Sequence, residues 1–228
     1  MRRRPTLLGA GHGGASPPPQ LVVLARWPAP GRCKSRLAQA VGSTRAAAVQ
    51  ARLSSHVLQV ACQAVTNGIE AGGAAPAELV LAVSGLGPRG ARRWGERLGA
   101  HRTVLQGEGR LGLRLQRQVR RAQREGAPAV VLIGSDLPEL APADLQQSLA
   151  LLQEHPLVLG PALDGGYWLI GLAGPWPTLF AGHQEAIPWG SDRVLNQTLA
   201  VAAALGLEPA LLPLRADLDH AGDLARWR

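Results

Sequence analysis

The chain holds twenty-three arginines and a single lysine, Lys34. A sequence so biased toward Arg should have lost an incidental lysine, so the one retained is expected where a compact ammonium is needed rather than a planar fork. Lys34 lies in the segment Ala25-Arg26-Trp27-Pro28-Ala29-Pro30-Gly31-Arg32-Cys33-Lys34-Ser35-Arg36-Leu37. The apolar run before it reads as a buried strand, the Pro/Gly stretch as a loop, and Ser35 as the cap of a helix beginning near Arg36. A basic loop between a strand end and a helix start suits a phosphate, because free N–H groups and the helix dipole both favour an anion. A solvated turn lysine is the plainer use of the same residue, and the uniqueness of Lys34 favours the phosphate.

Four further loops carry groups able to do chemistry. In Gly134-Ser135-Asp136-Leu137-Pro138, Asp136 stands just past an apolar run, where a carboxylate can hold Mg²⁺ or simply close a turn. Asp219, in Asp217-Leu218-Asp219-His220, could be the second carboxylate of a metal pair, and Asp223 fits a first helical turn. Asp164-Gly165-Gly166-Tyr167 combines a favoured turn pair with a close-approach glycine and the only tyrosine. In Ile187-Pro188-Trp189-Gly190-Ser191-Asp192, Ser191 or Asp192 is expected to cap a helix, and Trp189 to offer an exposed aromatic face to a sugar or base.

Positioning these loops requires a framework, and the apolar runs supply one. Runs of strand length recur at Leu21–Ala25, Leu79–Val83, Thr103–Leu105, Ala129–Ile133, Leu157–Gly160, Tyr167–Gly171 and Ala210–Leu214. Helical periodicity fills Thr44–Val65, Leu111–Glu125, Pro142–Leu152 and Asp192–Leu205. Such alternation predicts an α/β domain with a mainly parallel sheet, whose ligands bind beyond the carboxyl ends of the strands. The loops after Ala25, Ile133 and Gly160 and the segment after Leu214 are therefore the candidates for a site.

At 228 residues and 46% hydrophobic, the chain suits one large domain over residues 21–228. Residues 1–20, rich in Gly and Pro, read as a disordered arm. No apolar run reaches membrane-spanning length, and two cysteines make no disulfide framework, so a cytoplasmic protein is expected. The net charge of +8 is unevenly spread. Residues 1–88 carry nine basic and two acidic groups, residues 89–124 eleven and two, and residues 125–228 four and twelve. One half could hold phosphates while the other supplies carboxylates. The arginines of 89–124 lie in helical patterns with Trp94 as the one interleaved aromatic, which suits solvated helix faces better than nucleic acid binding.

Taken in order, these blocks resemble the DUF2064 family of transferase-1-like glycosyltransferases, which are associated with arsenosugar biosynthesis. The family pattern runs F-A-[KR]-x-P-x-P-G-x-x-K-T-R-L, Q-G-x-G-D-L-G-x-R, G-S-D-x-P-x-L, G-P-x-x-D-G-G-Y-x-L-I-G, I-P-W-S-T-x-x-V and D-x-D-T, spanning roughly residues 20–228. The resemblance implies a GT-A-like three-layer α/β/α sandwich, the fold of nucleotide-diphospho-sugar transferases. It also implies a nucleotide site at Ala25, Arg26, Pro28, Gly31, Lys34, Arg36, Gln106 and Ser135. Asp136 and Asp219 would share Mg²⁺ or Mn²⁺. Gly165, Gly166, Tyr167, Trp189, Ser191 and Asp192 would shape a pocket for a small-molecule acceptor. Asp164 would be the base, and Lys34 would neutralise charge on the departing diphosphate.

Two departures stand out. The acidic positions after Gln106-Gly107-Glu108-Gly109 read Arg110 and Arg114, and the closing D-x-D-T reads Asp217-Leu218-Asp219-His220. Because Lys34-Ser35-Arg36-Leu37 is similar to the K-S-R-L of guanylyltransferases, an NTP-using nucleotidyltransferase is the main alternative to a nucleotide-sugar enzyme. A non-catalytic nucleotide-binding member is a second alternative. An RNA-binding module rests on the basic first half alone.

Overall fold

Along the central strands, alternate side chains enter two different cores, and this alternation builds the molecule. The structure, a computed structural model, describes residues 16–70, 77–177, 179 and 187–227. Its strands are β1 (Gln20–Arg26), β2 (Glu78–Ser84), β3 (Arg102–Leu105), β4 (Ala129–Ile133), β5 (Leu157–Pro161), β6 (Tyr167–Ala173) and β7 (Ala210–Leu211). The helices are α1 (Ser35–Val41), α2 (Ser43–Glu70), α3 (Pro88–Arg97), α4 (Leu111–Arg124), α5 (Pro142–Leu151) and α6 (Val194–Ala204), followed by a 3₁₀ turn at Ala221–Arg226. The strands form one sheet in the order β3-β2-β1-β4-β6-β5-β7. Only β6 runs against its neighbours.

Leu21, Val23, Leu79, Leu81, Val131 and Ile133 join Val57, Leu58 and Ala61 of α2, Trp94 of α3 and Leu145 of α5 in one core. Their neighbours Val22, Val80, Val130 and Leu132 join Leu115 and Val119 of α4 and Val201 of α6 in the other. The result is a three-layer α/β/α sandwich with a mainly parallel sheet, as the alternation of elements predicts. Each fully buried Leu or Val side chain contributes about 1.5–3 kcal/mol, so the two faces of the sheet are strongly fixed.

Three sequence expectations shift. The last apolar run yields only the two-residue β7, because Leu212 N–H still donates to Leu159 O (2.9 Å) but Pro213 has no N–H to continue the ladder. Pairing resumes at one bridge between Ala162 and Arg215. Gln20, assigned above to an N-terminal arm, is instead the first residue of β1. It is 3% exposed and donates to Glu78 (3.1 Å) and Glu125 (2.7 Å). Residues 1–15 of that arm lie outside the described residues. Finally, Ser35 does not cap α1: Lys34 occupies the N-cap position and no side chain closes it. Among the described residues, no helix is long and apolar enough to cross a membrane.

Candidate nucleotide and cation site

The parallel strands deliver their carboxyl ends to one edge of the sheet, and a cleft of about 1320 Å³ opens there. All four loops singled out by the sequence line it, joined by the ends of β2 and β3 and by the Trp189–Asp192 turn. The two distant aspartates meet through the backbone. β7 runs parallel to β5, and Arg215 N–H and Leu163 N–H extend that pairing past the strand end (3.1 and 3.0 Å). The chain then crosses to β4, where Leu218 N–H donates to Asp136 O (3.0 Å). Leu218 is fully buried against Leu37 of α1 and Leu53 of α2, which pins the flanking Asp217 and Asp219 at the cleft. Asp223 fixes the next turn, its Oδ2 accepting Asp219 N–H (2.9 Å) and His220 N–H (2.8 Å).

Lys34 lies at the centre of this arrangement. Its backbone is left-handed (φ 49°, ψ 49°), the only positive φ outside glycine among the described residues. Its side chain is 2% exposed, and Nζ lies 3.0 Å from Asp136 Oδ1 and 3.2 Å from Asp219 Oδ1 while donating to Leu218 O. Arg36, largely exposed, reaches Asp219 Oδ2 at 3.6 Å. With no phosphate present, the ammonium of Lys34 is held by carboxylates. Asp136 and Asp219, two helices and three strands apart in sequence, hold it between them.

The donor set suits a divalent cation. Asp136 Oδ1 is buried and, despite the nearby ammonium, makes no aligned hydrogen bond. Asp217 is pushed up to about 7 by burial and by the negative charges of Asp164, Asp136 and Asp219, with Lys34 opposing. Asp136 and Asp219 on one ammonium, with Asp164 and Asp217 nearby, gather hard oxygens, the chemistry that Mg²⁺ and Mn²⁺ prefer. Among the described residues no three His, Cys, Asp or Glu side chains form a ready-made cage. A cation held here would thus take one or two carboxylates and complete its shell with water and phosphate oxygens, as Mg²⁺ commonly does. Asp217 escaped the sequence reading. Its place one residue from Leu218 in D-x-D was the available signal, but the burial that sets its ionisation is tertiary.

The expected nucleotide residues divide. Arg26 and Gly31 lie exposed on the cleft wall, Arg26 donating to Arg32 O (2.9 Å) within its own loop. Ser135 is buried on the wall, where it receives Gln50 Nε2–H from α2 (3.0 Å). Ala25 and Pro28 do not line the cleft. Ala25 is 1% exposed, and its carbonyl accepts Gln106 Nε2–H (3.0 Å). Gln106 bonds Ala82 O as well (2.9 Å), so its amide ties the ends of β1 and β2 together and positions the wall. Arg114 donates to Gly109 O (2.8 Å) and Gln106 Oε1 (3.3 Å), fastening the loop before α4. Aligned on Gln106-Gly107, the final arginine of the family pattern falls on Arg114, so Arg110 alone departs from it.

The opposite wall gathers the other expected residues. Asp164 does close the β5–β6 hairpin, its Oδ1 accepting Gly166 N–H (2.9 Å), yet it is exposed and faces the cleft. Gly165 (φ 84°) touches the backbone of Asp192, where a Cβ would lie 2.0 Å from Asp192 O, and its carbonyl accepts Leu195 N–H (2.9 Å). That contact locks the hairpin to the start of α6. Tyr167 presents its ring edge to Trp189 (centroids 6.2 Å, 82°), and burial beside Thr198 raises its hydroxyl above the usual phenol range. Trp189 is not the exposed platform expected; it is half-buried, its indole against Gly112 of α4, where any Cβ would come within 2.5 Å of Nε1. Neither Ser191 nor Asp192 caps α6, whose N-cap is Arg193. Ser191 Oγ instead donates to Pro188 O (2.8 Å) and accepts Arg193 N–H (3.3 Å).

Comparison with known proteins agrees with this architecture. Residues 68–191 match the family described as "Uncharacterized protein conserved in bacteria (DUF2064)". No curated protein matches the sequence. A provisionally assigned nucleotide-diphospho-sugar transferase from Desulfovibrio desulfuricans G20 is 29% identical with a TM-score of 0.73, over 89% of this chain and 82% of that one. The 4-diphosphocytidyl-2C-methyl-D-erythritol synthase of Anaerococcus prevotii DSM 20548 shares the fold at 8% identity and a TM-score of 0.57, over 93% and 97%. The glucosyl-3-phosphoglycerate synthase of Mycobacterium tuberculosis, solved with Mn²⁺ and UDP, does so at 15% and 0.53, over 93% and 76%. The fold is thus that of the nucleotide-sugar transferases, GT-A-like as expected.

Proposed function

Because the chain belongs to the DUF2064 family, we propose that it is a metal-assisted transferase that moves a sugar from a nucleotide-activated donor to a small-molecule acceptor. The observation that carries the reading is the meeting of Lys34, Asp136 and Asp219 at the carboxyl edge of the sheet, in a cleft lined by both arginines and aspartates. Arg26 and Arg36 face the cleft from the β1 loop and would lie along the diphosphate, where fixed positive charge stabilises a leaving group at no reorganisation cost. Asp136 and Asp219 would hold Mg²⁺ or Mn²⁺, which supplies neutralisation of the phosphate oxygens when bound. Asp164, with one oxygen held by the turn and the other open to the cleft, would take the proton of the acceptor hydroxyl. Tyr167, Trp189 and Asp192 would shape the acceptor end.

The motif Lys34-Ser35-Arg36-Leu37 and the fold shared with the 4-diphosphocytidyl-2C-methyl-D-erythritol synthase support a second reading, in which the same cleft binds an NTP and releases pyrophosphate. One assay separates the two. The protein is incubated with Mn²⁺, a small-molecule extract as acceptor source, and either nucleotide sugars or NTPs. Mn²⁺-dependent release of nucleoside diphosphate from a nucleotide sugar supports glycosyl transfer. Pyrophosphate from an NTP moves the assignment to nucleotidyl transfer, and release of neither overturns both.

A further inference from the structure

The ammonium of Lys34 stands where a cation between Asp136 and Asp219 would stand. Both contacts are made by single oxygens, Asp136 Oδ1 at 3.0 Å and Asp219 Oδ1 at 3.2 Å, and the side chain is 2% exposed, which leaves no water layer between the charges. The left-handed backbone of Lys34 aims the side chain inward from the N-cap of α1, and the Leu218 carbonyl takes a further ammonium proton. Asp136 Oδ1, though 3.0 Å away, lacks an aligned hydrogen bond, so the ammonium neutralises it without satisfying it. We infer that Lys34 is an internal counter-ion that competes with the divalent cation for these two carboxylates, and that it must leave them before the cation loads. The inference rests on the proposed cation site, but it does not depend on which transfer reaction the enzyme performs.

A divalent cation on the same two oxygens would stand within a few ångströms of the ammonium, and like charges that close in a partly buried site repel strongly, so the two compete. Lysine suits such exchange, because its charge sits on a flexible stem with several rotatable bonds. When the donor enters, its diphosphate offers the displaced ammonium a new partner, so cation and nucleotide should bind with positive coupling, each strengthening the other by the same factor. Without a nucleotide, Lys34 offsets part of the negative charge of Asp136 and Asp219. The residue is thus a positioning group in the empty site and a barrier to the metal binding alone.

Because Lys34 is the only lysine, a tag-free chain grown with side-chain ¹⁵N-labelled lysine gives one side-chain ammonium resonance. Mg²⁺ alone, added without nucleotide, should shift that resonance saturably, with the same midpoint as calorimetric Mg²⁺ binding. Lys34→Met should bind Mg²⁺ about tenfold more tightly than the wild type, and Mg²⁺ should raise its melting temperature more. An unmoved resonance at Mg²⁺ concentrations that saturate the calorimetric signal would overturn the inference. So would a Lys34→Met variant that binds Mg²⁺ equally or more weakly, the result expected if Lys34 merely braces the ligands. Should Lys34→Met fail to fold, the resonance of the wild type decides alone. Loss of transferase activity in the product assay, with the resonance still responding to Mg²⁺, would fault the proposed function and leave this inference standing.

Discussion

At the scale of single residues, the site is built by a few side chains whose partners lie far away in sequence. Asp136 and Asp219 are 83 positions apart, yet both reach one ammonium, because Leu218 hydrogen-bonds Asp136 through its backbone and buries itself beneath α1. If the two carboxylates share a cation, Asp136→Asn and Asp219→Asn should each abolish Mn²⁺-dependent nucleotide binding in calorimetry. The double variant should lose little more than either single one, since groups acting as a unit are non-additive. If Asp136 served only its turn, Asn would preserve metal binding, because Asn suits such turns nearly as well. Lys34, Asp136 and Asp219 were legible from residue type and position after apolar runs. The ion pairing of Lys34 was not, because nothing in its own segment is acidic; its partners arrive through strand order.

At the scale of elements, the strands were the most readable part. Short, β-branched apolar runs such as Ala129–Ile133 favour a buried strand over a helix, and the structure places β4 there residue for residue. α3 was less readable, because only Ala91, Trp94 and Gly95 are buried and most of the rest is exposed arginine. Gly165 shows how loops between elements hold the acceptor wall. Gly165→Ala should lower stability by more than about 1 kcal/mol, from the positive φ and from the 2.0 Å clash with Asp192, as measured by denaturant unfolding. The same change should weaken acceptor use more than nucleotide binding.

At the opposite end of the sheet, Arg102 joins Glu78 (2.8 Å) and Glu125 (2.7 Å) across β2, β3 and α4. Arg102 holds the Glu125 carboxyl below its usual 4.5. A depressed carboxylate stabilises the fold above its unfolded value and loses that contribution as pH falls through the folded one. Glu125→Gln should therefore cost about 0.5–1 kcal/mol near pH 7, reduced by solvent screening, and the gap to the wild type should close below pH 4. Melting temperatures across that range test it.

At the scale of the whole molecule, the uneven charge of the chain acquires a geometry. Arg26, Arg32, Arg36 and Arg114 of the basic half and Asp136, Asp164, Asp192, Asp217 and Asp219 of the acidic half all line the cleft. The remaining arginines of α3 and α4 are mostly exposed helix faces, as their pattern predicts. The start of the ordered fold also lies earlier than composition suggests. Pro19 O accepts Glu78 N–H (2.8 Å), and Gln20 is buried in β1. A truncation that removes residues through Gln20 should melt several degrees below one that removes residues through Ala15, because it strips a buried polar bridge from the sheet.

The central claim is that one cation and one nucleotide meet at the carboxyl edge of the sheet, on Asp136 and Asp219. The most direct measurement is a crystal grown with Mn²⁺ and a nucleoside diphosphate, with data collected at the manganese absorption edge. The account predicts one anomalous peak within bonding distance of the Asp136 and Asp219 carboxylates, the diphosphate completing its shell and the Lys34 ammonium turned onto a phosphate oxygen. A diphosphate bound elsewhere, for example in the arginine-lined groove of about 450 Å³ at Arg117, Arg120 and Arg124, would contradict it. So would a manganese peak away from both carboxylates.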